Sequence, residues 1–336
     1  MGGAWPSDLP AEFAGQYAAL TARVAASGLY VHEVEEFHIA AHAYMIVRAP
    51  LGIQQDYGTL TTAESRNLVR KVRLDDGTIA VLKVIGNVRE PGEGETLQLW
   101  RDRGLPCVEP LDWGCLRVQG PNGRRAAASW ILTRFVAGTS LQMQSSAPGT
   151  VVRSLVAWIR QFHISDAATV SGRPWHHRLD GHLRQIQPLI RSAGLSEPPH
   201  WQEKLLRLSQ AGSAVLHGDP AGSNVLVAGD DFVLLDPPGA LRGMPEADVA
   251  QMCWHVGGVA GVSSMINVAC DVNRRLNPDA VAAFASFNLL VWAGYELAGH
   301  YHPEKVDATD AASLARDRSQ ALLDDAAVLL QEYRLP

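Results

Sequence analysis

The stretch LHGDPAGSNVLVAGDDFVLLDPPG, Leu216–Gly239, decides how the chain is read. Two short apolar runs, Val225–Val227 and Phe232–Leu235, flank a turn at Gly229-Asp230-Asp231, the pattern of a small hairpin. Asp219, Asn224 and Asp236 stand at the edges of those runs. A hairpin brings the start of its first strand near the end of its second, so Asn224 and Asp236 are expected to meet. A carboxamide oxygen and a carboxylate at one point are hard ligands suited to Mg²⁺, which keeps its other positions for water and phosphate oxygens. Asp219, on the loop just before, is expected to face the same place without coordinating. There it can orient an incoming hydroxyl or accept its proton.

Working outward, Lys83 lies inside the apolar run AVLKV, where a lysine is costly unless it has a partner. The helix expected over 93–103 offers Glu95 as first choice and Glu93 as second. A strand lysine held by a helix glutamate and aimed at nucleotide phosphates is a phosphotransfer arrangement. NLVRKVRL, DDG and TIAVLKVI (67–85) give a strong hairpin signal, and the pattern over about 37–85 reads as short β-rich runs. A helix is expected over 11–27, ending at Gly28, and a strand within 125–135. Helices are expected over 150–163, with Val152, Leu155, Val156 and Ile159 on one face, over 201–209, and over 279–295.

At 336 residues the chain exceeds the roughly 250–300 at which single cores split, so two lobes are expected. The net charge of −6 gives no basis for a nucleic-acid partner. Its acidic excess lies mostly after residue 150; a solvated surface is the plainer account of it, a cationic substrate the other. Cys107, Cys115, Cys253 and Cys270 form neither a CxxC pair nor a zinc spacing, which fits reduced thiols in the cytoplasm. MGGAWPSDLPAEF lacks the basic and apolar regions of a signal peptide. Val249–Cys270 carries no Asp, Glu, Lys or Arg, yet Gln251, His255, glycines, serines and Asn267 interrupt it. It therefore reads as a packed core helix, and no membrane partner is expected. His176, His177 and His182 do not align on one helix face and are not read as a metal site.

HGDPAGSN followed by LLD resembles the catalytic-loop and metal-binding segments of the aminoglycoside phosphotransferase-like kinases. The continuation DPPGALRGMPEADVA is most similar to the branch of streptomycin 6-kinases and hydroxyurea-resistance kinases, although Arg242–Glu246 replaces the usual GDP of that branch. NLVRKVRLDDGTIAVLKV, the helix with Glu95, and ILTRFVAG as the hinge extend the resemblance to about residues 60–260. It implies an α+β, bilobal protein-kinase-like fold: a β-rich nucleotide-binding lobe over 1–135 and a mainly helical lobe over 136–336 with the catalytic loop and acceptor site. It implies Asp219 as catalytic base, Asn224 and Asp236 as Mg²⁺ ligands, and His217 and Asp248 as supports of the loop. Lys83 and Glu95 would orient the phosphates of ATP or GTP, and backbone groups of Thr133 and Phe135 would bond the purine. There is no GxGxxG; the phosphate-covering turn falls at TTAESRN (61–67), with Ser65 as its hydroxyl donor. The implied reaction moves a γ-phosphate to a hydroxyl of a small molecule, by a monomer or homodimer. An antibiotic or natural product is the first expectation, and a sugar, amino alcohol or nucleoside the alternative. A nucleotide-binding protein without turnover would normally lack one of these groups.

Overall fold

Residues 10–27, 31–61, 65–88, 92–119, 125–140, 148–163, 173–198, 201–210, 212, 214–220, 222–228, 231–237, 241–297 and 308–332 are described by the structure, a computed structural model. The chain divides into two units: Met1–Asp102 with Cys107–Ala137, and Arg103–Pro106 with Gly138–Pro336.

The first unit runs α1 (Ala14–Ser27), α2 (Val31–Val47), β1 (Ile53–Thr59), β2 (Leu68–Leu74), β3 (Ile79–Ile85), α3 (Glu93–Asp102), β4 (Pro110–Gln119) and β5 (Arg125–Arg134). The strands form one antiparallel sheet in the order β1-β2-β3-β5-β4. The β2–β3 hairpin closes as its residues dictate. Asp76 Oδ1 accepts the Thr78 N–H (2.8 Å), and Gly77 takes a φ of 86° that a side chain would disfavour. Alternation along β3 sends Ala80, Leu82 and Val84 into a core with Leu68, Val72, Ala128 and Leu132, and turns Val81 and Lys83 to the opposite face.

Helix α2 corrects the β-rich reading of residues 37–47. Phe37, Ala40, Ala41 and Tyr44 are fully buried in that same core, at helical spacing. Ile39 and Ala43 on other sides are buried as well, so the helix lacks the polar stripe that reveals helical period in a sequence. Arg70 ties α2 to the sheet: its Nε meets Asp56 Oδ2 at 2.9 Å, the Tyr44 hydroxyl donates to the same oxygen, and the guanidinium covers the rings of Phe13 and Tyr44.

The second unit begins with β6 (Thr139–Ser140), α4 (Pro148–His163), β7 (Arg173–Pro174), α5 (His176–Ser192) and α6 (Trp201–Ser209). There follow β8 (Ala214–Leu216), a 3₁₀ turn (Gly222–Asn224), β9 (Val225–Ala228), β10 (Asp231–Leu234) and β11 (Leu241–Gly243). Helices α7 (Pro245–Val272), α8 (Pro278–Leu297) and α9 (Ala308–Glu332) complete it. The expected hairpin is β9–β10, antiparallel with Val225 opposite Leu234, although Gly229 and Asp230 of its turn lie outside the described residues. Val152, Leu155, Val156 and Ile159 of α4 are all fully buried. Helix α8 has the length and composition of a membrane span, the one such helix among the described residues, but it lies largely buried at the centre of this unit. Val249, Ala250, Met252 and Cys253 of α7 are buried, which anchors its first turns beneath the loop that follows β8.

Candidate active site

In the second unit, β8 delivers His217, Gly218 and Asp219 to a loop fixed from below by α7. Asp248, in the first turn of that helix and 1% exposed, accepts the N–H of His217 at Oδ2 and of Gly218 at Oδ1, both at 2.8 Å. His163, at the end of α4, meets Oδ2 at 3.1 Å. Burial pushes the Asp248 carboxyl upward, but the His163 hydrogen bond, the nearby imidazoles and the backbone donors outweigh it and hold the group below the usual carboxylate range. Gly218 has a φ of 83°, so the turn that presents Asp219 favours glycine.

His217 is fully buried and links two segments. Its Nδ1 accepts the Asp219 N–H (3.2 Å) and its Nε2 donates to Leu235 O (2.8 Å). Burial pushes its imidazole below the usual range against the pull of Asp248 and Asp219, which agrees with a neutral ring having one donor and one acceptor nitrogen. Leu235 N–H in turn donates to Asn224 O (2.8 Å). Asp236, the next residue, is therefore fixed beside the Asn224 backbone by hydrogen bonds at both faces of its neighbour. It is exposed and has a φ of 57°, the one non-glycine residue at positive φ among those described. That conformation is strained for a side-chain-bearing residue, least so for Asp or Asn, and such strain gathers at functional sites.

Asn224 donates its Nδ2 to Asp219 O and to Asp219 Oδ2, both at 3.0 Å, while its Oδ1 receives a long hydrogen bond from Ser223 Oγ (3.4 Å). The other oxygen of the base candidate, Asp219 Oδ1, accepts from Gln251 Nε2 of α7. The structure thus brings Asp219, Asn224, His217, Asp248 and the Asp236 segment together. Gln251 and His163 were not singled out from the sequence. Gln251 had a signal, since it lies three residues past Asp248 and so on the same helix face; His163 had none, because its contact spans 85 residues.

The first unit holds the remaining candidates. Lys83, 8% exposed, places Nζ 2.7 Å from Glu93 Oε1 and 2.8 Å from Oε2. The partner is Glu93, and the choice of Glu95 is corrected. Two residues along a helix rotate a side chain by about 200°, so with Glu93 turned to the sheet Glu95 faces outward. It is exposed, its carboxylate lying over Gly92. Thr133 lies on the Lys83 face of the sheet, in register with Val81. Pairing runs past the end of β5, and Phe135 N–H donates to Ile79 O (3.1 Å). The amides of Thr133 and Phe135 both point into the ladder with β3, so of the backbone groups expected to bond a purine these two N–H donors are already engaged. Ser65 Oγ donates to Asn67 O (3.1 Å) and accepts Asn67 N–H (3.2 Å), so its hydroxyl builds a local turn; residues 62–64 of the expected phosphate-covering segment lie outside the described residues.

No protein of curated function matches the chain by sequence. Among solved structures it is similar to an amicoumacin kinase, hAmiN, in complex with AMP-PNP, Ca²⁺ and Ami, at 12% identity and a TM-score of 0.56, covering 83% of this chain and 92% of that one. It is also similar to the choline kinase LicA from Streptococcus pneumoniae, at 11% identity and a TM-score of 0.52, covering 84% and 97%. At such identities the likeness carries the fold, a kinase-like sheet unit followed by a helical unit. The model of the APH phosphotransferase enzyme family matches residues 60–284, more than half of the chain, and takes in Lys83, Glu93, Asp219, Asn224, Asp236 and Asp248. With that match, the chain belongs to the APH phosphotransferase enzyme family, small-molecule kinases that act on hydroxyl groups.

Proposed function

We propose that the protein transfers the γ-phosphate of ATP or GTP to a hydroxyl of an antibiotic or other natural product. The observation that carries this reading is the Asp219 carboxylate, gripped by Asn224 on a loop that His217 ties to the segment bearing Asp236. Asp219 holds the acceptor hydroxyl in line with the phosphorus and takes its proton as the new bond forms. Lys83, kept in place by Glu93, supplies positive charge to the phosphates. Asn224 turns its nitrogen to Asp219, which leaves Oδ1 as its ligand atom, and the exposed Asp236 carboxylate is the second hard oxygen. Two such oxygens fit Mg²⁺, which fills its other positions with water and phosphate; no cluster of three His, Cys, Asp or Glu among the described residues offers a different metal site. When bound, Mg²⁺ neutralises charge on the β and γ oxygens.

A neutral or weakly cationic acceptor fits the modest acidic excess after residue 150. The DPPGALRGMPEADVA segment supports a place near the streptomycin 6-kinase and hydroxyurea-resistance branch. On this reading the enzyme works in the cytoplasm as a monomer or homodimer, with no nucleic-acid or membrane partner. The test is a panel of hydroxylated antibiotics and metabolites incubated with Mg²⁺ and ATP or GTP, read by mass spectrometry for the gain of one phosphate. Phosphorylated antibiotic is the expected product. A sugar, amino alcohol or nucleoside as the sole acceptor would move the assignment to metabolism, and no product with either nucleotide would overturn it.

A further inference from the structure

We infer that Gln251 is a positioning residue for the phosphotransfer, holding the Asp219 carboxylate at a single rotation. The inference rests on Asp219 being the base. A carboxylate can turn about its last bond, and a base that must aim one oxygen at a hydroxyl loses rate whenever it turns away. Here each oxygen has its own carboxamide donor: Asn224 Nδ2 on Oδ2 at 3.0 Å, and Gln251 Nε2 on Oδ1. The two donors come from different elements, the 3₁₀ turn and α7, so together they fix the plane of the group, which neither does alone. Gln251 is itself well anchored. Met252, Cys253 and Val249 around it are fully buried, and Asp248, three residues before it, clamps the main chain of the same loop. Helix α7 therefore grips the loop twice, the backbone through Asp248 and the side chain through Gln251.

The role falls to a carboxamide for a physical reason. A lysine or arginine in its place would neutralise the base outright, and a carboxylate would repel it or share its proton. A neutral donor orients the anion with the smallest loss of proton affinity, which suits a reaction whose loose transition state demands placement above basicity. Asn224 cannot do this alone if its Oδ1 is drawn to a cation, because its amide plane is then shared between two tasks.

The test compares Gln251→Met, which keeps length and removes the donor, with Gln251→His, whose Nε2–H reaches a similar point. With an acceptor from the panel, Gln251→Met should lower kcat about tenfold to a hundredfold, the range for losing one hydrogen bond to a charged group. The KM for MgATP should stay within about twofold, and Gln251→His should recover much of kcat. Equal losses in both variants, or an unchanged kcat in Gln251→Met, would overturn the inference. A crystal structure of Gln251→Met reads the same question without turnover: the Asp219 carboxylate should occupy a new or split rotamer, and an unmoved carboxylate refutes the role. A protein that phosphorylates nothing while the Gln251→Met carboxylate swings would sink the proposed reaction and leave the positioning contact standing.

Discussion

Replacing Asp248 with Asn tests the grip of α7 on the catalytic loop. The substitution keeps the shape and removes the charge. Asp248 Oδ2 accepts from His217 N–H and meets His163 Nε2, and Oδ1 accepts from Gly218 N–H, all with the residue 1% exposed. An asparagine can keep its oxygen at the Oδ2 position, but its amide nitrogen then confronts the Gly218 N–H. The buried Gly218 N–H loses its acceptor and the new amide N–H finds none, at about 1–3 kcal/mol for each unsatisfied donor. The surviving bonds fall from charge-assisted to neutral strength, adding about 1 kcal/mol. A loss of about 3–7 kcal/mol follows, a large share of the stability of an ordinary domain.

Urea unfolding of both proteins from neutral pH down to about pH 2 measures it. Because the folded carboxyl lies below its unfolded value, the stabilisation is complete above about pH 4, the unfolded value, and drains away as pH falls through the folded one. The wild type should weaken towards acid, and Asp248→Asn should lack that part of the slope. A variant within about 0.5 kcal/mol of wild type near neutral pH, where surface substitutions fall, would refute the account of the clamp.

The other predictions concern the site itself. Asp219→Asn should lower kcat by about 10²–10⁴-fold while MgATP binding, followed by titration calorimetry, persists; unchanged turnover would remove Asp219 as the base. Glu93→Gln should raise the KM for nucleotide by about tenfold through loss of a buried, charge-assisted partner for Lys83, whereas the exposed Glu95→Gln should not, and steady-state kinetics on the pair separates them. Gly94→Ala would place a Cβ 2.1 Å from Trp113 Cγ and 2.5 Å from its Cβ, atoms close to the backbone that cannot swing aside. It should cost about 1–3 kcal/mol in thermal or chemical denaturation, and shift Glu93 with the start of α3.

Much of this protein was legible along the chain because the determining signals are local. The β2–β3 hairpin announces itself through alternation and the Asp75-Asp76-Gly77 turn, and α4 through apolar residues on one face. The meeting of Asn224 with the Asp236 segment follows from the geometry of a two-stranded ribbon, and the backbone bond between Asn224 and Leu235 closes it. Lys83 in an apolar strand demanded an anion, whatever its identity.

What folding alone decided were phases and distant contacts. Glu93 and Glu95 are equally good carboxylates, and the rotation of α3 about its axis chooses between them. Whether Phe135 N–H is free depends on how far β5 stays paired with β3, which no property of Phe135 announces. Helix α2 buries residues on several sides while its exposed Met45 and Ile46 are apolar, so its period is erased from the sequence. His163 reaches Asp248 across 85 residues, a separation over which spacing carries no information. Hydrogen-bond need is written in each residue, but the partner that meets it is chosen by packing of elements far apart in the chain.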